Sequence, residues 1–146
     1  MEYEQLKLEN QLCFPVYAAS RLITREYQPF LDKLEITYPQ YLVLMVLWEN
    51  DGLPVNDIAK KLILNTNTIT PLLKRMEQQG LIIRKRSEND ERKVLVHLTE
   101  KGINLKAEVS QIPEELIKRL SGSELKLDDL VRLKESLNSI ISFLSK

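Results

Sequence analysis

The stretch that most constrains the fold of this chain runs from Val55 to Leu98. Val55, Ile58, Ala59 and Leu62 recur at helical spacing, and Asn65, Thr66, Asn67 and Thr68 follow after Ile63 and Leu64. Four small polar side chains in a row are helix-capping material, because their oxygens accept the free amide N–H groups of a first turn. Ile69, Leu72, Leu73 and Met76 then mark the buried face of a second helix, and Gly80 supplies its stop. Thr70-Pro71 offers a later start, as a cap and first-turn pair, but the earlier start is preferred. Two short helices joined by a tight connection form a helix-turn-helix. Next, Leu81 and Ile83, then Val94, Val96 and Leu98, sit on one parity around the polar tip 87–91, the pattern of a β-hairpin. The expected fold is therefore mainly α with a small β-hairpin wing, a winged helix-turn-helix.

Charge is distributed to match. The chain is formally neutral, yet 60–93 holds nine Lys or Arg against four Asp or Glu, leaving +5 there and −5 elsewhere. Such segregation is the electrostatic footprint of a nucleic-acid binder. Lys74 and Arg75 lie on the second helix, and Arg84, Lys85, Arg86, Arg92 and Lys93 on the hairpin arms, where a hairpin following a recognition helix would touch the DNA backbone. Small donors at a helix start reach base edges and phosphates. An arginine at a hairpin tip suits a narrow, negative minor groove. Asp90 stands two residues before Arg92, where its carboxylate can orient the guanidinium.

The flanks read as helices. One is expected over 6–34, either starting near 13–15 or bent there by Pro15, which would remove a donor and clash inside a helix. A buried helix is expected over 35–50, with Pro39 in its first turn and a stop at Asp51-Gly52-Leu53-Pro54. After the hairpin, Thr99 caps a helix that Pro113 breaks, and Ser121-Gly122-Ser123 punctuates. Leu130, Leu133, Leu137, Ile140 and Leu144 recur at alternating steps of three and four, an apolar seam. These ends carry more apolar surface than one small domain covers. A homodimer is expected, with residues of about 1–37 and 103–146 as its dimerisation lobe and about 38–102 as the DNA-binding lobe. Two recognition helices related by a two-fold address a pseudo-palindromic duplex.

Other classes find little support. No apolar run approaches the roughly 20 residues a membrane span needs, and the charged N-terminus lacks a signal-peptide pattern, so the cytoplasm is expected. One Cys and one His provide no metal-ligand set and no intrachain disulfide. No cofactor motif is present, and His97, alone on the second hairpin strand, reads as a surface residue. What the single thiol is for, a core hydrophobe or a reactive group, the residues alone leave open.

At this point a resemblance emerges. "LILNTNTITPLLKRMEQQGLIIRKRSENDERKVLVHLTEKG" looks like the recognition helix and wing of the MarR family of bacterial repressors, with Asp90-x-Arg92 and "LTEKG" as its signature. "LENQLCFPVYAASR" and "LDKLEITYPQYLVLMVLWE" are similar to the one-cysteine branch that senses organic hydroperoxides and to related thiol-switch regulators. The likeness is specific over 7–102, and beyond that it is one of pattern. It implies that Cys13 is the peroxidatic thiol and that Tyr27 and Tyr38 hydrogen-bond the thiolate from the partner subunit. It also implies DNA contacts by Thr66, Thr68 and Arg75 in the recognition helix, with Asn67 and Lys74 beside them, and by Asp90 and Arg92 in the wing. The sequence departs from the branch at Asn65-Thr66-Asn67-Thr68, where Asp-Ser-Gly-Thr is usual, and at Pro15 beside the cysteine.

Spacing bears on the tyrosines. Cys13 and Tyr27 stand 14 residues apart on one expected helix, roughly 21 Å at 1.5 Å per residue. Tyr17, four residues on, is the aromatic able to face Cys13 within one chain. The leading expectation is a repressor released from its operator by oxidation of Cys13, with an organic hydroperoxide and a low-molecular-weight thiol as reaction partners. The alternative in the same class is release by a small phenolic or apolar ligand, with Cys13 structural. A thiol peroxidase, the enzymatic alternative, lacks a resolving thiol and leaves the winged helix unexplained.

Overall fold

The computed structural model describes residues 1–145. The chain divides into two compact units, Met1–Tyr38 and the remainder from Pro39 onward. In the first, two 3-10 turns, Glu4–Leu6 and Leu8–Asn10, precede helix α1, Cys13–Lys33. The helix begins at the cysteine, so Pro15 falls in its first turn, where a missing N–H costs nothing. Of the two expected forms, the start near 13–15 is the one adopted, and the residues before it form the two 3-10 turns. It is Pro29, not singled out from the sequence, that lies inside α1.

The second unit holds most of the core. Helix α2, Tyr38–Glu49, starts at the unit boundary and buries Gln40, Tyr41, Val43, Leu44 and Leu47. Strand β1, Leu53–Pro54, leads directly into α3, Val55–Leu62. Helix α4 spans Thr66–Gln78, and the Asn65 side chain accepts from the Thr68 amide at 3.0 Å. The earlier helix start is therefore the one adopted, and Pro71 is carried inside α4. Ile69, Leu73 and Met76 form its buried stripe, and Gly80 takes a positive φ of 76° just beyond it.

The turn between α3 and α4 is unusual. Ile63 caps α3 at φ 56°, ψ 44°, while Leu64 N donates to Ala59 O and Ile63 N to Lys60 O. That is the double hydrogen bond of a Schellman cap, made here by a β-branched residue that the left-handed region penalises.

Strands β2, Ile82–Arg86, and β3, Val94–Leu98, form the expected hairpin. Two details differ from expectation. The sheet has three strands in the order β1-β3-β2, because Leu53 and Pro54 pair with Val96 and Leu95. The inward parity of β2 is carried by Ile82, which pairs with Leu98 and is buried, whereas Ile83 pairs with His97 and is exposed. Leu81 is buried ahead of the strand, in the turn that follows Gly80, and this offsets the strand parity by one residue.

Helix α5, Glu100–Val109, is capped by Thr99, whose hydroxyl accepts from Gly102 N at 3.1 Å. Helix α6, Ile112–Leu120, takes Pro113 into its first turn, and α7 spans Leu127–Leu144. A Cβ on Gly102 would run into the carbonyl oxygen of Leu81, so this glycine is what lets α5 approach the wing root. Among the described residues of α7 none is buried, and Leu133, Ile140 and Leu144 of the expected seam are exposed.

Candidate nucleic-acid interface and thiol site

The buried stripe of α4 dictates its outward face. Ile69, Leu73 and Met76 turn inward, so Thr66, Asn67, Thr68, Lys74 and Arg75 are all exposed, with the hydroxyl and amide groups at the N-terminus. A helix that exposes small donors at its start and cations near its end suits a polyanion with readable edges.

The wing tip is organised by Asp90. Its Oδ1 accepts from Arg92 N at 3.1 Å and from Arg92 Nε at 3.3 Å, as the spacing predicts. The Arg92 side chain nonetheless remains 92% exposed, so the pair orients a cation without consuming it. Ser87 Oγ accepts from Asn89 N and Asp90 N, closing the turn. Arg86 is exposed at the end of β2.

Arg84 is different. Its backbone N donates to Glu77 Oε2 at 2.8 Å, and its Nη2 and Nε donate to Glu77 Oε1 at 3.1 and 3.3 Å. These bonds hold the Glu77 carboxyl below the usual carboxylate range. The guanidinium expected to face DNA is thus engaged within the chain. Glu77 escaped the sequence reading, although it is the only acidic residue of α4.

The end of α4 is also tied down elsewhere. Gln40 Nε2 donates to Gln79 Oε1 at 2.7 Å, and Gln40 is the only buried polar side chain among the described residues. Lys101 Nζ donates to Gln79 O, and the Thr99 hydroxyl to Gly80 O. A lone Gln in the apolar run of α2 was the available signal for this anchor. Beside α4, a cleft of about 330 Å³ is lined by residues including Asn56, Thr66, Thr70, Arg84 and Arg92.

In the first unit, Cys13 is exposed in the opening turn of α1. Tyr27 and Tyr38 are brought together, ring centroids 4.9 Å apart and planes at 54°. Burial pushes the Tyr38 phenol above its ordinary value, so it stays a neutral hydrogen-bond donor at physiological pH. Cys13 and Tyr27 share the continuous helix α1, which sets them roughly 21 Å apart along its axis. Tyr17, four residues after Cys13 on α1, has the Arg21 guanidinium over its ring, 5.1 Å from the centroid. No group of three or more His, Cys, Asp or Glu side chains among the described residues is arranged to hold a metal. Among the described residues no helix is long and apolar enough to cross a membrane.

Comparison with known proteins places this geometry. Residues 25–109 match the family described as transcriptional regulator SarA/Rot. The organic hydroperoxide resistance transcriptional regulator of Bacillus subtilis (strain 168) is 51% identical over 98% of this chain and 95% of its own length. Reduced AbfR bound to DNA, a Staphylococcus epidermidis protein, superposes with a TM-score of 0.77 at 38% identity, covering 97% of this chain and 96% of that one. Overoxidized AbfR bound to DNA gives 0.77 and 38%, covering 99% of each chain. With exposed α4 donors, an oriented arginine at the wing tip and relatives that match along nearly their whole length, the chain belongs to the SarA/Rot and MarR type of winged-helix transcriptional regulators.

Proposed function

We propose that this chain is a DNA-binding repressor that works as a homodimer on a pseudo-palindromic operator and lets go when an organic hydroperoxide oxidises Cys13. The observation that carries the redox half is the separation of Cys13 from the Tyr27–Tyr38 pair along α1. The two phenols serve the thiol of a second copy, whose α1 runs the other way. Exposed apolar residues at both ends of the chain, among them Leu12 and Phe14 in one unit and Leu133 and Ile140 in the other, support that assembly. In this reading residues 1–37 and 103–146 supply the dimerisation lobe and 38–102 the DNA-binding lobe.

The chemistry is a two-electron oxidation. The Cys13 thiolate attacks one peroxide oxygen, the O–O bond breaks, and the alkoxide leaves and takes a proton as the alcohol. The sulfenic acid then condenses with a low-molecular-weight thiol, forming a mixed disulfide and releasing water. An overoxidized relative that still holds DNA argues that added oxygen alone need not cause release. The mixed disulfide, which adds bulk where the subunits meet, is accordingly assigned the larger effect. The protein is a sensor rather than an enzyme, consuming about one peroxide per thiol, and it acts in the cytoplasm where its DNA is.

The alternative is release by a phenolic or apolar ligand bound between the dimer helices and the winged lobe, with Cys13 as packing. Exposure of Cys13 in its own chain is against it. Gel-shift titration on DNA from upstream of the chain's own gene separates the two. Cys13→Ser should bind like wild type when reduced and stay bound after hydroperoxide and thiol are added. Tyr38→Phe should bind equally but respond about tenfold more slowly, the loss of one hydrogen bond to an anion. Release of Cys13→Ser by hydroperoxide would hand the function to the ligand-responsive reading.

A further inference from the structure

Glu77 stands where charge arguments say it should not. It is the only acidic residue of α4, it follows Lys74 and Arg75, and it lies in the last turn, where the helix dipole disfavours an anion. On an element offered to phosphates, a carboxylate weakens binding unless it is engaged. It is engaged with the root of the wing. Strand β2 is an edge strand, since β3 lies between it and β1. The Arg84 N–H that Glu77 accepts is therefore on the open side of the sheet. The same carboxylate takes the Arg84 guanidinium through two N–H groups, so backbone and side chain are gripped at one residue. Both partners are partly buried, at 36% and 26% side-chain exposure, which limits competition from water.

We infer that Glu77 is a positioning residue for DNA binding, its carboxylate fixing the wing against the recognition helix so that Arg92 is delivered to the minor groove. A strand rises about 3.3 Å per residue, so an angular error at Arg84 grows along the wing toward the tip. The binding geometry needs α4 and Arg92 to engage one duplex together, and Glu77 is the side chain that bonds α4 to β2. Arg84, by the same token, acts through Glu77 and not on a phosphate.

This inference rests on the DNA-binding reading above, and electrostatics gives it a test with a sign. Glu77→Ala, Glu77→Gln and the pair Glu77→Ala/Arg84→Ala are compared with wild type on two probes, upstream DNA of the chain's own gene and a random duplex of equal length. Hydroxyl-radical footprinting accompanies the titrations. Removing a negative charge near phosphates should tighten binding to both duplexes if charge alone matters. Positioning predicts instead that Glu77→Ala binds the upstream DNA about tenfold more weakly, the scale of one lost charge-assisted contact, while the random duplex is bound as well or better. The flanking minor-groove protections disappear and the central ones persist. Glu77→Gln, whose amide oxygen still accepts from Arg84 N–H, lies between, and the double variant is no weaker than Glu77→Ala. A purely structural role lowers the melting temperature without changing the ratio between the two probes. Equal or tighter upstream binding by Glu77→Ala, with flanking protections intact, overturns the inference, as does further weakening in the double variant. If the wild type does not discriminate the two probes, the DNA-binding reading falls along with it.

Discussion

The middle of this chain and its two ends are built to different rules. From α2 to α6 the apolar residues are mostly inside: Leu44, Leu47, Ile58, Ile69, Leu73, Met76, Leu81, Ile82 and Val96 are essentially inaccessible. Polar bonds cross-link the same region, Gln40 to Gln79, Trp48 Nε1 to Gly102 O, and Leu98 N to Asp51 Oδ1. In Met1–Tyr38 only Leu31 and Ile36 are buried, and α7 buries none of its described residues. A chain this size spends its internal contacts on the part that must be rigid to read DNA. Its ends keep apolar faces that make sense only when covered.

The comparison breaks most dramatically if the ends are dispensable. Deleting residues 123–146 should give an aggregating protein without operator binding, because the apolar faces that α7 would cover in the proposed homodimer are left exposed. Sedimentation checks this, and a soluble, folded monomer that grips a half-site tightly would reverse the distinction drawn here. Within the middle region, Gly102→Ala should be the costly small change. Its methyl group meets the Leu81 backbone carbonyl, which cannot rotate aside as a side chain would. A loss of about 3 kcal/mol in urea unfolding is expected, and an unchanged midpoint would show that α5 is less closely docked than described. Arg92→Ala should leave folding intact and weaken operator binding by about 1–3 kcal/mol. Equal affinity at about 0.15 M salt would remove the wing tip from the interface.

The smallest effect has the opposite sign. Ile63 holds a left-handed conformation that costs an L-residue about 1–2 kcal/mol, and its side chain is exposed. Ile63→Gly relieves this while adding unfolded-chain entropy. A net gain of up to about 1 kcal/mol in the urea midpoint is expected. A loss would mean that the Ile63 side chain contributes contacts that outweigh its backbone strain.

What was legible from the sequence follows from the range of the forces involved. Helix starts were readable where a side chain caps its own backbone, as Asn65 and Thr99 do, because capping is local. The Asp90–Arg92 pair was readable for the same reason. Strand β1 was hidden because two residues have no periodicity, and its pairing partner lies more than 40 positions away. The β2 parity slipped because Leu81 looks like a strand residue although it packs in the turn. Glu77 and Gln40 stand out in the sequence only as isolated polar residues on their helices, and their partners on other elements, Arg84 and Gln79, are not visible in any local window. Pro15 alone leaves two readings of α1 open, because a proline fits a first turn as well as a kink, and the structure adopts the start near 13–15.

The two margins of the small sheet carry a consequence for solubility. A sheet rim with free amide groups is a template on which other chains can add strands. Here one rim is β1, two residues long and half proline, so it has little to offer an incoming strand. The other rim, β2, has its Arg84 amide already occupied by Glu77, with Lys85 and Arg86 projecting charge beyond it. A regulator that repeatedly leaves its DNA exposes this wing to the crowded cell each time. A short, proline-bearing rim and a charged, partly occupied one disfavour strand addition and leave the helical surfaces for self-association.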